Sequence, residues 1–174
     1  MAYTTPRTWT AGEIVTATMM NAHVRDNMTD LRTAKHCRAY ATGTQSLTNN
    51  TFEAITFGAE TYDTDAWHST GSNTERITPT LAGLYLVVGS LEFASNTTGL
   101  RALRLLLNST TIGQTTVGAT ASGAPMLSCS ALYRANGSSD YFQMHGYQNV
   151  SPSAALNTST TTSAPWLHVT WIGA

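Results

Sequence analysis

Asp63 and Asp65, inside Tyr62-Asp63-Thr64-Asp65-Ala66-Trp67-His68, are the most closely spaced pair among the ten acidic residues. Clustered carboxylate oxygens suit a hard cation such as calcium, whereas a short acidic side chain that accepts backbone N–H groups nucleates a turn. The turn is the preferred reading and calcium the second. Glycan cleavage needs two carboxylates roughly 5 to 9.5 Å apart across a sugar-sized cleft, which two residues of one turn do not provide. There is no Gly-x-Ser-x-Gly elbow, Walker loop, Gly-x-Gly-x-x-Gly or His-Glu-x-x-His. His23, His36, His68, His145 and His168 are scattered without ligand spacing, so no metal, cofactor or enzymatic activity is expected. Tyr62, Trp67 and His68 in one loop, and Tyr147 near Asn149 in another, are the candidate glycan contacts. Their aromatic faces and polar tips suit sugars, and the competing reading buries them between strands. Cys37 and Cys129 have no Cys-x-x-Cys spacing and are read as free, buried thiols.

The elements that must position these residues change character near residue 36. Before it, Thr16 or Thr18 can cap a helix whose Met20, Val24, Met28 and Leu31 recur four, four and three apart, on one stripe. A helix of about 15 residues is marginal alone, so the stripe calls for a partner: either the chain's own domain or, as preferred, another subunit or a docking surface. Ahead of it, Pro6 to Gly12 reads as an extended arm with Trp9 as its anchor. After residue 36 come short apolar alternations: Cys37–Thr42, Phe52–Phe57, Arg76–Ile77, Leu84–Phe93, Leu100–Leu107, Thr110–Val117, Met126–Arg134, Tyr141–Tyr147 and Trp166–Ile172. Gly-, Asn- and Ser-rich turns separate them, and the polar tract Ser151–Ala164 is expected to be a loop. This is the pattern of an antiparallel β-sandwich. The division expected is 1–35 for arm and helix and 36–174 for the β domain.

Composition agrees. Only 11% of the 174 residues are charged, against about 25% in ordinary soluble proteins, and 31 are threonine. A formal charge of -1 without a basic run argues against nucleic-acid binding. No apolar run suggests a membrane span, and no secretory signal is expected, so synthesis is placed in a cytoplasm. Asn-x-Ser/Thr triplets, such as those at Asn49 and Asn96, are read as unglycosylated.

One strand asks for more than a sandwich. Leu84, Tyr85, Leu86, Val87 and Val88 are apolar in succession, where a half-solvated strand alternates. With Trp171 they form the expected interface with other copies of the chain.

Phe57 to Tyr85 is similar to the jelly roll of the tumour-necrosis-factor and complement globular-head family, above all Tyr62 to His68 and Arg76-Ile77-Thr78-Pro79-Thr80-Leu81-Ala82-Gly83-Leu84-Tyr85. Asn108, the turn Ala135 to Phe142 and the ending Trp166 to Ala174 extend the resemblance. Thr5-Pro6-Arg7-Thr8-Trp9-Thr10-Ala11-Gly12-Glu13 through Asn27 resembles an N-terminal segment of tailed-bacteriophage virion proteins, where it precedes different C-terminal domains. The two resemblances imply a non-enzymatic, homotrimeric virion protein: a capsid decoration protein or head fibre, or a tail-tip or fibre head. It would be fastened to capsid or tail proteins through Trp9, Met20, Val24, Met28 and Leu31. A host-glycan-binding fibre and a cytokine-like lectin module are the alternatives.

Overall fold

The computed structural model describes residues 4–119, 124–150, 156–158, 160 and 163–174. The chain divides into two compact units, residues 1–35 and 36–174.

In the first unit a helix runs as α1 (Ala17–Met20), a π-helical turn (Asn21–Arg25) and α2 (Asp26–Arg32). Thr16 caps it, its hydroxyl accepting the Met19 N–H at 3.3 Å. The arm is not free-running: it folds back on the helix. Buried Asn27 clamps the Thr4 backbone, accepting its N–H and donating to its carbonyl, both at 2.8 Å. Arg7 lies over the Trp9 ring and pairs with Glu13, and Trp9 meets His23 edge-on. Lys35, the chain's single lysine, closes the unit with its ammonium 3.2 Å from Asp30. Among the described residues no helix is long and apolar enough to cross a membrane.

The second unit is an antiparallel sandwich. Its strands are β1 (His36–Tyr40), β2 (Ser46–Leu47), β3 (Glu53–Ala54), β4 (Ala59–Asp63), β5 (Gly83–Glu92), β6 (Leu100–Leu107), β7 (Thr110–Gly118), β8 (Met126–Ala135), β9 (Phe142–Gln148), β10 (Leu156–Asn157) and β11 (Trp166–Gly173). One sheet has the order β4-β1-β11-β5-β8 and the other β3-β9-β6-β7, with β10 paired to β2. Several elements differ from expectation: Phe52–Phe57 pairs only as the two-residue β3, and the expected loop Ser151–Ala164, partly outside the described residues, holds β10. Arg76–Ile77 forms only bridges, from Ile77 to His68 and Phe142. β4 and the β2–β10 pair arise in stretches too polar or too short to alternate visibly.

The core lies between the two large sheets. Cys37, Ala39, Tyr85, Val87, Leu91, Leu167 and Val169 from one sheet meet Leu103, Leu105 and Met144 from the other, all fully buried. The sheets approach so closely at Gly89 that an added Cβ would lie 2.8 Å from the Met144 sulfur. A side chain there would require Met144 and Leu105 to repack.

Burial along β5 corrects the expected interface. Tyr85 and Val87 are 0% exposed inside the protomer's own core, so they cannot meet another chain. Trp171 packs partly buried against the same core and donates its indole N–H to Ala82 O at 3.2 Å. Strand alternation places only Leu84, Leu86 and Val88 on the outer face.

Candidate functional site

Asp63 ends β4, where the chain turns sharply. Its Oδ1 accepts the N–H groups of Trp67 (3.0 Å) and Asp65 (3.4 Å), and its Oδ2 accepts that of His68 (2.8 Å). The carboxylate is therefore the acceptor that shapes the turn. Asp65 instead accepts the Thr64 hydroxyl. Among the described residues, no group of three or more His, Cys, Asp or Glu is placed to hold a metal ion. Cys37 lies beside Asp63, and burial, reinforced by Asp63 and Glu60, pushes its thiol far above the usual range. Cys37 is buried and Cys129 half-buried, both free.

The turn carries two candidate glycan residues inward. Trp67 is 2% exposed, packs edge-on against Tyr85 and donates its indole N–H to Thr80. His68 is buried between Glu60, 2.8 Å from its Nδ1, and the Thr74 carbonyl, 3.1 Å from its Nε2. Both partners are acceptors, so the ring bridges two segments of its own domain and neither residue can stack on a sugar. The apolar body of Trp67 and the paired nitrogens of His68 explain why the fold takes them in. Tyr62 and Tyr147 stay half-buried at the surface, on opposite sheets. The four-residue glycan constellation is thus not assembled.

What β4, β1, β11, β5 and β8 do assemble is a mixed apolar and aromatic outer face. Leu86 lies opposite Thr170 on one side and Leu132 on the other, and Val88 lies between His168 and Ser130. Leu86 is 38% and Leu132 59% exposed. Beside them the Arg38 guanidinium stacks on Trp166 at 4.3 Å. Tyr62 packs against the rings of both His36 and His168 and hydrogen-bonds His168 at 3.4 Å. Burial first, then His36 and Arg38, hold the His168 pKa below its ordinary value. Sequence reading missed this cluster because its members come from three strands whose pairing the sequence does not print.

Residues 1–35 present the second surface. Trp9, Met20, Val24, Met28 and Leu31 are 40%, 45%, 37%, 60% and 73% exposed. Ile14 and Val15, which periodicity did not single out, are exposed too.

No protein-family model matches the sequence, and no curated protein does. Solved structures do. The globular domain of zebrafish complement 1qA protein superposes with a TM-score of 0.61 at 12% identity, over 81% of this chain and 98% of that one. Murine APRIL gives 0.59 at 8% identity, over 80% and 100%. Eiger TNF from S. frugiperda gives 0.51 at 10% identity, over 82% and 94%. At such identities the likeness is one of fold: the β domain is a jelly roll of the tumour-necrosis-factor and complement globular-domain type.

Proposed function

We propose that the chain is a non-enzymatic structural protein of a tailed-bacteriophage virion. In this reading its jelly roll forms a homotrimer displayed on the particle, as a capsid decoration protein, head fibre or fibre head. Its first 35 residues fasten it to capsid or tail proteins. The observation that carries the reading is the exposed apolar set Trp9, Met20, Val24, Met28 and Leu31. The unit that bears it is too short to be stable from propensity alone, so such a set calls for an external surface. The phage-like string from Thr5 to Asn27 lies in the same unit.

A closed ring of three needs two different patches that fit one another. The outer face around Leu86 and Val88 supplies one. The margin where β7 meets β8, joined by the Thr115 hydroxyl donating to Ser128 O at 2.9 Å, supplies another, with Tyr133 exposed and no charged residue in β7. Edge strands left to solvent are ordinarily protected by charge, so an uncharged one suits a covered position.

Deleting residues 1–35 is the test. The expected result is a folded trimeric β domain that fails to appear on particles when virions are purified and blotted. Truncated protein on virions at the wild-type level would remove the attachment role.

A further inference from the structure

Arg104 of β6 stands on the outer face of the β3-β9-β6-β7 sheet, between Gln114 of β7 and His145 of β9. Its guanidinium lies 3.5 Å over the Phe52 ring, and its Nε donates to Gln114 Oε1 at 3.1 Å. Phe52 rests in turn on Tyr147, with ring centroids 4.8 Å apart, and the Tyr147 hydroxyl donates to Asn50 at 3.1 Å. One face of the guanidinium and its Nε are therefore fixed. Among the described residues its Nη1 and Nη2 have no partner.

Four other cations are paired with carboxylates, Arg7 with Glu13, Arg25 with Asp26, Lys35 with Asp30 and Arg76 with Glu75, while Arg38 stacks on Trp166 and buried Arg101 donates to backbone carbonyls. Among the described residues no carboxylate pairs with Arg104. His145 supplies no negative charge; burial and Arg104 itself lower its pKa, against an opposing pull from Glu75. Its neighbours in the strand register are neutral: Gln114, whose Nε2 donates to the Thr116 hydroxyl at 3.3 Å, Tyr147 and the buried Gln143. A planar fork held rigid with both outer donors open is built for two oxygens of one anion. A single cation among neutral polar groups fits a ligand with one anionic group among many hydroxyls, rather than a polyacidic chain.

We propose that Arg104 anchors a binding site for an acidic glycan, with its Nη1 and Nη2 on the anionic oxygens and the neighbouring amides on sugar hydroxyls. A carboxylated sugar and a phosphate-bearing polyol share the required oxygen pair. The site lies within one protomer, so it stands or falls separately from the trimer and from the virion reading.

The full-length protein is titrated with sodium glucuronate, glycerol 3-phosphate and glucose at constant ionic strength, and the Arg104 Nε–H and His145 ring signals are followed by NMR. At least one acid is expected to shift the Arg104 signal, with a dissociation constant on the order of 1 mM for a single site. Its binding should also raise the pH at which His145 titrates, because the anion offsets Arg104. Glucose should do neither. The acid that binds tells carboxylate from phosphate. R104Q is expected to weaken binding at least about tenfold, and R104K about tenfold, since lysine keeps the charge but lacks the fork. R104K also serves where R104Q does not fold. Silence from both acids, shifts equal to those of glucose, or R104K binding as wild type would overturn the proposal.

Discussion

A carboxylate that holds three backbone N–H groups has a different mutational signature from one that holds an ion. Asp63→Ala strands the N–H groups of Asp65, Trp67 and His68. It should lower stability by about 2–3 kcal/mol in urea unfolding, while Asp65→Ala changes it by less than about 1 kcal/mol. Calcium should leave both values unchanged. Trp67→Ala, which empties a buried site, should be destabilising by about 3–5 kcal/mol rather than a defect in adhesion. The thiols divide in the same manner. A thiol-specific reagent should modify Cys129 in the native protein and reach Cys37 only on unfolding, because burial keeps Cys37 protonated. Two histidines contribute to the acid limb. His168 and His145 have folded-state pKa values depressed below the ordinary 6.5, so the unfolded chain binds their protons more readily. Their contribution is complete above about pH 6.5 and declines as pH falls through that value toward the folded-state pKa. Urea midpoints of wild type and a His145→Gln/His168→Gln double variant should therefore converge as pH is lowered from 7.5 to 5.

Elements were legible in proportion to how regularly they alternate. β6 is bounded by Leu100 and Leu107, as its apolar run indicates, and β5, β7, β8, β9 and β11 differ from expectation by a residue or so. β4 was hidden because Ala59-Glu60-Thr61-Tyr62-Asp63 carries no periodic apolar signal; its pairing with β1 makes it a strand. Which face of β5 points outward was equally illegible, since both of its faces are apolar and only the second sheet decides between them. Trp67 and His68 misled for a related reason. An aromatic beside a turn looks exposed until the carboxylate that folds the turn inward is identified. The turn joining β8 and β9 shows how such corners are specified. Gly137 has φ +68°, and an added Cβ would lie 2.2 Å from the Ala82 nitrogen. Gly137→Ala should cost more than about 1 kcal/mol of stability, read as a lower thermal midpoint, because the left-handed backbone and the close contact both resist a side chain.

At the scale of the whole molecule, the outer face and the core of β5 make opposite predictions for one and the same substitution. Leu86→Asp places a carboxylate on the outer face beside Leu132 and Thr170; under the proposed trimer it should sediment as a folded monomer while the wild type sediments as three chains. Val87→Asp, one residue along, buries an unpaired charge and should prevent folding altogether. A wild-type protein that sediments as a folded monomer at micromolar concentration would overturn the trimer. Lys35 has a bearing on handling as well as on structure. The only lysine side chain of the sequence sits at the last residue of the first unit, next to the first strand of the jelly roll. Endoproteinase Lys-C therefore has a single site in this sequence, between the first unit and β1. An amine-reactive dye or crosslinker finds no lysine in the jelly roll, so a label on Lys35 marks the boundary between the units and leaves the Arg104 face unmodified.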